Sequence, residues 1–145
     1  QEYLNFVYEL KGCTLNRKKH IAEICEVVKI TNVYKRMIKN LSKGYRQRVG
    51  LAQAIVGYPE IIILDEPMVG LDPHAIKQLK DIFVELKNDG ASVLISTHML
   101  DSVETFWDTA YIMVSGKLKA KKIMGDSKES LEELFFGITE SGDKN

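Results

Sequence analysis

Apolar positions follow two different rhythms along this chain, with the change near residue 57. Before it they recur at helical spacing. Tyr3, Leu4, Val7 and Leu10 fit a first helix that stops near Gly12. Ile21, Ile24, Cys25 and Val28 repeat as i, i+3, i+4, i+7 and predict a second helix, with Thr14 or Asn16 as its cap. A short polar stretch from Thr31 to Asn40 leads to Leu41-Ser42-Lys43-Gly44. A third helix then runs to about Val56, closed by Gly57 and Pro59.

Beyond that point the apolar residues come in short unbroken runs. Ile61 to Leu64 is β-branched and continuous, which predicts a strand buried on both faces, as in a parallel sheet. A helix carrying Ile76, Leu79, Phe83 and Leu86 starts near Pro73 and ends before Gly90. Ser92 to Ser96 is a second buried strand, so strand, helix and strand form a βαβ unit. Asp101 is placed to cap a short helix with Val103 and Phe106. Ala110 to Val114 and Lys117 to Lys122 read as a hairpin turned by Ser115-Gly116. Asp126 with Glu129 has the spacing of a capping box for a last helix with Leu131, Leu134 and Phe135.

The expected fold class is therefore α/β. Residues 1–57 form a helical subdomain, 58–122 part of an α/β core, 123–140 a C-terminal helix, and 141–145 a disordered tail. Composition agrees with a globular chain: 145 residues, 45% apolar and 28% charged. The formal net charge is zero, so no global field favours nucleic acid or an anionic membrane. The two cysteines, Cys13 and Cys25, match neither a zinc site nor a disulfide framework and are expected as free buried thiols in a reducing cytosol. No apolar run approaches the ~20 residues of a membrane helix.

Three clusters carry candidate chemistry. Asp65 and Glu66 close the Ile61–Leu64 run, and ligands of open α/β sheets bind at that carboxyl end. One acid there can hold Mg²⁺ through its water shell, and the next can polarise a water for in-line attack. His98 ends the next strand and is expected on the same rim, within reach of the same phosphates. Ser42 caps a helix whose first N–H groups are free, and Gly44 allows close approach of a ligand; a helix start of this kind is an anion site. Lys43, Arg46 and Arg48 oppose the helix dipole there, at about 0.3–1 kcal/mol each, which points to an anion or packed carboxylate nearby.

Together these segments resemble the ATP-binding cassette (ABC) family, with wording similar to bacterial exporter-type cassettes. Leu41 to Arg48 resembles its signature sequence, Ile61 to Pro67 its Walker B strand, Gly70 to Asp72 its D-loop, and Ser96 to His98 its H-loop. The resemblance covers roughly residues 1–122 and implies part of a P-loop NTPase fold. It implies ATP and Mg²⁺ as ligands, with Asp65 at the metal, Glu66 as general base and His98 sensing the γ-phosphate. Ser42, Lys43 and Gly44 would meet the ATP of an opposing subunit, and Asp72 would communicate across that head-to-tail dimer. A transmembrane permease, a second ATPase subunit and a cytoplasmic position on the inner face of the cell membrane follow from the same likeness, with no nucleic-acid partner.

The sequence also departs from the family. The signature usually has Gly at Lys43 and Gln at Tyr45, and Met68 replaces a small hydroxyl residue. Lys43 either adds a charge contact to phosphate or alters its approach by bulk. No G-x-x-x-x-G-K-[ST] occurs in these residues, so the phosphate-gripping loop is expected ahead of Gln1 and this segment alone is expected to be inactive. The alternatives are a non-enzymatic interaction module and an ABC ATPase acting on ribosomes or DNA.

Overall fold

The computed structural model describes residues 1–142, and two compact units divide between Thr97 and His98. The first begins with α1 (Glu2–Leu10) and α2 (Arg17–Val27). The buried positions of α1 are Leu4, Val7 and Tyr8, rather than the expected stripe of Tyr3, Leu4, Val7 and Leu10. Tyr8 turns inward because its hydroxyl reaches the Leu15 carbonyl. Asn16 is the cap of α2, its side chain accepting from the Lys19 N–H at 3.1 Å. The polar stretch after α2 folds as two 3₁₀ turns, Thr31–Val33 and Ile38–Asn40.

Helix α3 (Lys43–Ile55) starts at the Ser42 cap. Its far end is closed by Lys11, whose amine donates to the carbonyls of Ala54 and Val56 at 2.8 and 2.9 Å. The following turn is held from α2: the Gly57 N–H donates to His20 Nε2 at 2.9 Å. Both cysteines are free; Cys25 is buried as expected, whereas Cys13 is only half-buried.

Strands β1 (Ile61–Asp65) and β2 (Ser92–Ser96) pair in parallel from Ile61↔Ser92 to Asp65↔Ser96, with α4 (Pro73–Asn88) between them in the chain. Helix α4 presents Ala75, Leu79, Ile82, Phe83 and Leu86 to the core and packs on β2. Burial on both faces is not observed. Ile62 is 2% exposed, but its neighbours Ile61 and Ile63, and Leu94 opposite Ile63, are 65%, 72% and 55% exposed. A strand alternates its side chains, and the described residues cover only one face of this pair.

The second unit contains α5 (Leu100–Val103), the antiparallel hairpin β3 (Thr109–Val114) and β4 (Lys117–Ile123), and α6 (Leu131–Gly142). Ser115 and Gly116 both have positive φ, 49° and 72°, as a two-residue hairpin turn requires. Two capping expectations fail. Met99, not Asp101, precedes α5, and no side chain caps it; Phe106 lies beyond its end. The box at Asp126 and Glu129 is replaced by one at Ser130 and Glu133. There the Ser130 N–H donates to Glu133 Oε2 at 2.8 Å and the Glu133 N–H to Ser130 Oγ at 3.1 Å. Both pairs have the required spacing. Leu131, 2% exposed, favours the second because it anchors the helix start in the core. Of the expected 141–145 tail, residues 141 and 142 continue α6 and 143–145 lie outside the described residues.

Candidate functional site

An acidic rim forms where β1 ends. Asp65 pairs in register with Ser96, and the Ser96 hydroxyl donates to Asp65 Oδ1. The next residue leaves the strand sharply. The Glu66 N–H donates to Ser96 O at 3.0 Å and to Ser96 Oγ at 3.3 Å, and Glu66 itself adopts φ 46°. A left-handed backbone costs a non-glycine residue about 1–2 kcal/mol. Such strain persists only where the surroundings over-determine it. Here Met68, 1% exposed, anchors the loop beyond, and the Val69 N–H closes it onto Glu66 O at 3.3 Å.

The second part of the site is a cleft of about 340 Å³ between the starts of α3 and α4, lined by Ser42, Lys43, Gly44, Gly70, Asp72 and His74 among others. Ser42 Oγ accepts from the Tyr45 N–H at 3.4 Å. A Cβ on Gly44 would stand 3.4 Å from Ala75 Cβ, so the first turns of α3 and α4 lie close together. Asp72 caps α4 by accepting from the Ala75 N–H at 3.0 Å, and this bond holds its carboxyl below the usual aspartate range. Lys43 extends across the D-loop-like turn, and its amine occupies the space that a Gly70 Cβ would fill. Arg48, buried at the back of this cleft, donates to Lys29 O at 3.3 Å and to Gln78 Oε1, and its guanidinium stacks 5.3 Å from the Tyr45 ring centre. Two helix starts and two cations make this cleft suited to an anion.

Ser42, Lys43, Gly44 and Asp72 thus meet in one cleft, while Asp65 and Glu66 share the rim with Ser96. His98 follows Ser96 by two residues and opens the second unit. Among the described residues no group of three His, Cys, Asp or Glu side chains could hold a metal ion by itself. Mg²⁺ needs only one or two carboxylates beside water and phosphate oxygens, and Asp65 is an exposed carboxylate at the strand tip. Sequence reading singled out neither Gln47 nor the bridging role of Arg48. The available signal for Gln47 was its i+4 spacing from Lys43, which puts both on one helix face.

The ABC transporter family profile matches residues 2–69, spanning the start of α3 and the acidic rim. The lantibiotic transport ATP-binding protein SrtF of Streptococcus pyogenes is 38% identical over 115 residues, 79% of this chain and 50% of its own length. The chain belongs to the ABC transporter family. Another member, the bacitracin transport ATP-binding protein BcrA of Bacillus licheniformis, is 36% identical over 115 residues, 79% of this chain and 38% of its own. Among solved structures, an ATP-binding subunit of an ABC transporter superposes with a TM-score of 0.80 at 29% identity, covering 95% of this chain and 61% of that one. The ADP conformation of the cassette MJ1267 gives 0.74 at 26% identity, over 88% and 50%. The fold is accordingly that of part of an ABC ATPase. The chain spans 50% and 38% of the length of these two curated relatives. No described helix is long and apolar enough to cross a membrane.

Proposed function

We propose that these residues belong to an ATP-binding and ATP-hydrolysing subunit that powers transport across a membrane through an ATP-driven head-to-tail dimer. The observation that carries this reading is the adjacent pair Asp65 and Glu66 at the carboxyl end of a parallel strand, braced by Ser96. Glu66, carried out of the strand by its left-handed backbone, is the general base that takes a proton from the attacking water. Asp65 holds Mg²⁺, which when bound neutralises phosphate oxygens. His98 donates to the γ-phosphate and orients the water. Ser42, Lys43 and Gly44 meet the γ-phosphate of ATP on the opposing subunit, and Asp72 links the two subunits at its turn.

A permease and a second ATPase subunit are the partners in this reading, with the protein on the inner face of the cell membrane. The relatives named for lantibiotic and bacitracin transport support it. The phosphate-gripping motif is not among these residues, so the segment alone binds Mg-ATP more weakly than about 1 mM.

The test is phosphate release by the full-length protein carrying Glu66→Gln. Loss of a general base predicts a fall of about 100-fold or more in kcat with ATP binding retained. Turnover equal to the parent would refute the assignment.

A further inference from the structure

Lys43 and Gln47 lie four residues apart on one face of α3, and both touch the segment that follows the base. Gln47 Nε2 donates to the Pro67 carbonyl at 3.1 Å, and Lys43 covers Gly70. Pro67 is buried and Gln47 half-buried, so water competes poorly for this bond. Glu66 is therefore fixed from two sides. Its own N–H is held by Ser96 at the end of β2, and the carbonyl of the next residue is held by Gln47. Its φ of 46° depends on both, because a left-handed glutamate before proline is stable only where its flanking peptides are pinned.

We propose that Gln47 is a positioning residue for Glu66. Its hydrogen bond ties the aim of the general base to the helix whose start forms the anion cleft in the same chain. The inference rests on the reading of Glu66 as base. A shift of α3 on engaging the opposing nucleotide is transmitted by one hydrogen bond to the peptide after Glu66. Geometry at the water then depends on occupancy of the Ser42–Gly44 cleft. Arg48, which holds α3 to α4 through Gln78, stabilises the pairing of the two helices but has no bond to this peptide.

The experiment uses the full-length protein. Gln47→Leu removes the donor, and Gln47→Glu removes it with little change of shape. Each is expected to lower kcat about tenfold while the KM for ATP stays within about twofold. Gln47→Lys keeps a donor on a flexible stem and is expected to recover most of the rate. In single-turnover measurements Gln47→Leu adds no further loss to Glu66→Gln, because both act on one step. Melting curves matching the parent show that the variants are folded. The proposal is overturned by a raised KM with kcat unchanged, by failure of the lysine variant to recover activity, or by an equal further loss in the Glu66→Gln background. If Glu66→Gln itself turns over like the parent, the base assignment fails first and takes this inference with it. If Glu66→Gln is slow but Gln47 variants are normal, only the positioning role fails.

Discussion

His20 is 2% exposed and sits between Tyr8 and Tyr58, with ring centres 5.9 and 4.5 Å away. Because Nε2 accepts the Gly57 N–H, the imidazole is neutral with its proton on Nδ1, which has no hydrogen-bond partner among the described residues. Burial lowers its pKa below the usual histidine value; the nearby Lys11 charge adds to this and Glu23 opposes it. The unfolded chain therefore binds a proton at about pH 6.5 that the native state refuses. Stability contributed by neutral His20 is full above that pH and is lost as pH falls through the lowered native value. Each unit of depression corresponds to about 1.4 kcal/mol. Forced protonation also removes the acceptor of a buried N–H, costing about 1–3 kcal/mol. Hydrogen exchange of the segment around Gly57, corrected for intrinsic rate, reads this locally in the full-length protein. Between about pH 7.5 and pH 5 the parent should lose more protection than His20→Gln, which keeps an acceptor but does not titrate; an unfolded value near 6.5 caps the difference at about 2 kcal/mol. At neutral pH His20→Gln itself should cost about 1–3 kcal/mol through lost ring contacts. Parallel pH profiles for the two proteins would show that His20 does not titrate against this hydrogen bond.

Two further outcomes follow from backbone and surface features. Gly70→Ala places a residue with a Cβ at φ 67° and should cost about 1–2 kcal/mol in thermal or urea unfolding, because the Lys43 amine it meets can swing aside. The same cost should appear in a Lys43→Ala background to within about 0.5 kcal/mol, and its disappearance there would assign it to the lysine instead. The uncovered face at Ile61, Ile63 and Leu94 should make the 145-residue chain self-associate. Ile61→Thr with Ile63→Thr should shift light scattering toward monomer, and a monomeric parent would contradict the expectation.

Much of this arrangement was legible because short-range physics writes it into the chain. The Ser42 cap, the Pro73 helix start, the parallel pairing of two β-branched runs and the turn at Ser115-Gly116 each depend on a few adjacent residues. So does the placement of Asp65 and Glu66 at a strand end. What the sequence left open depends on distant partners. Local spacing suits Thr14 and Asn16 equally as caps, and only the start of α2 selects Asn16; Ser130 prevails over Asp126 because Leu131 is what the core accepts. The turn of Tyr8 toward Leu15 is a tertiary choice. The run of isoleucines specifies the strand β1 but is silent about how many layers surround it, and the described residues cover one face only. The hydrogen bond from Gln47 to Pro67 spans twenty residues and leaves no mark on local periodicity.

The strict alternation of β1 has an evolutionary corollary. Ile62 points inward and Asp65, three residues later, points out. Inserting or deleting one residue between them reverses this parity, turning the acid toward the core or bringing Ile62 into water. Aliphatic exchanges within the strand are tolerable, whereas a length change of one codon would turn the acid proposed to hold Mg²⁺ away from the rim without replacing any side chain. Gaps should therefore be absent from this segment even among highly diverged descendants.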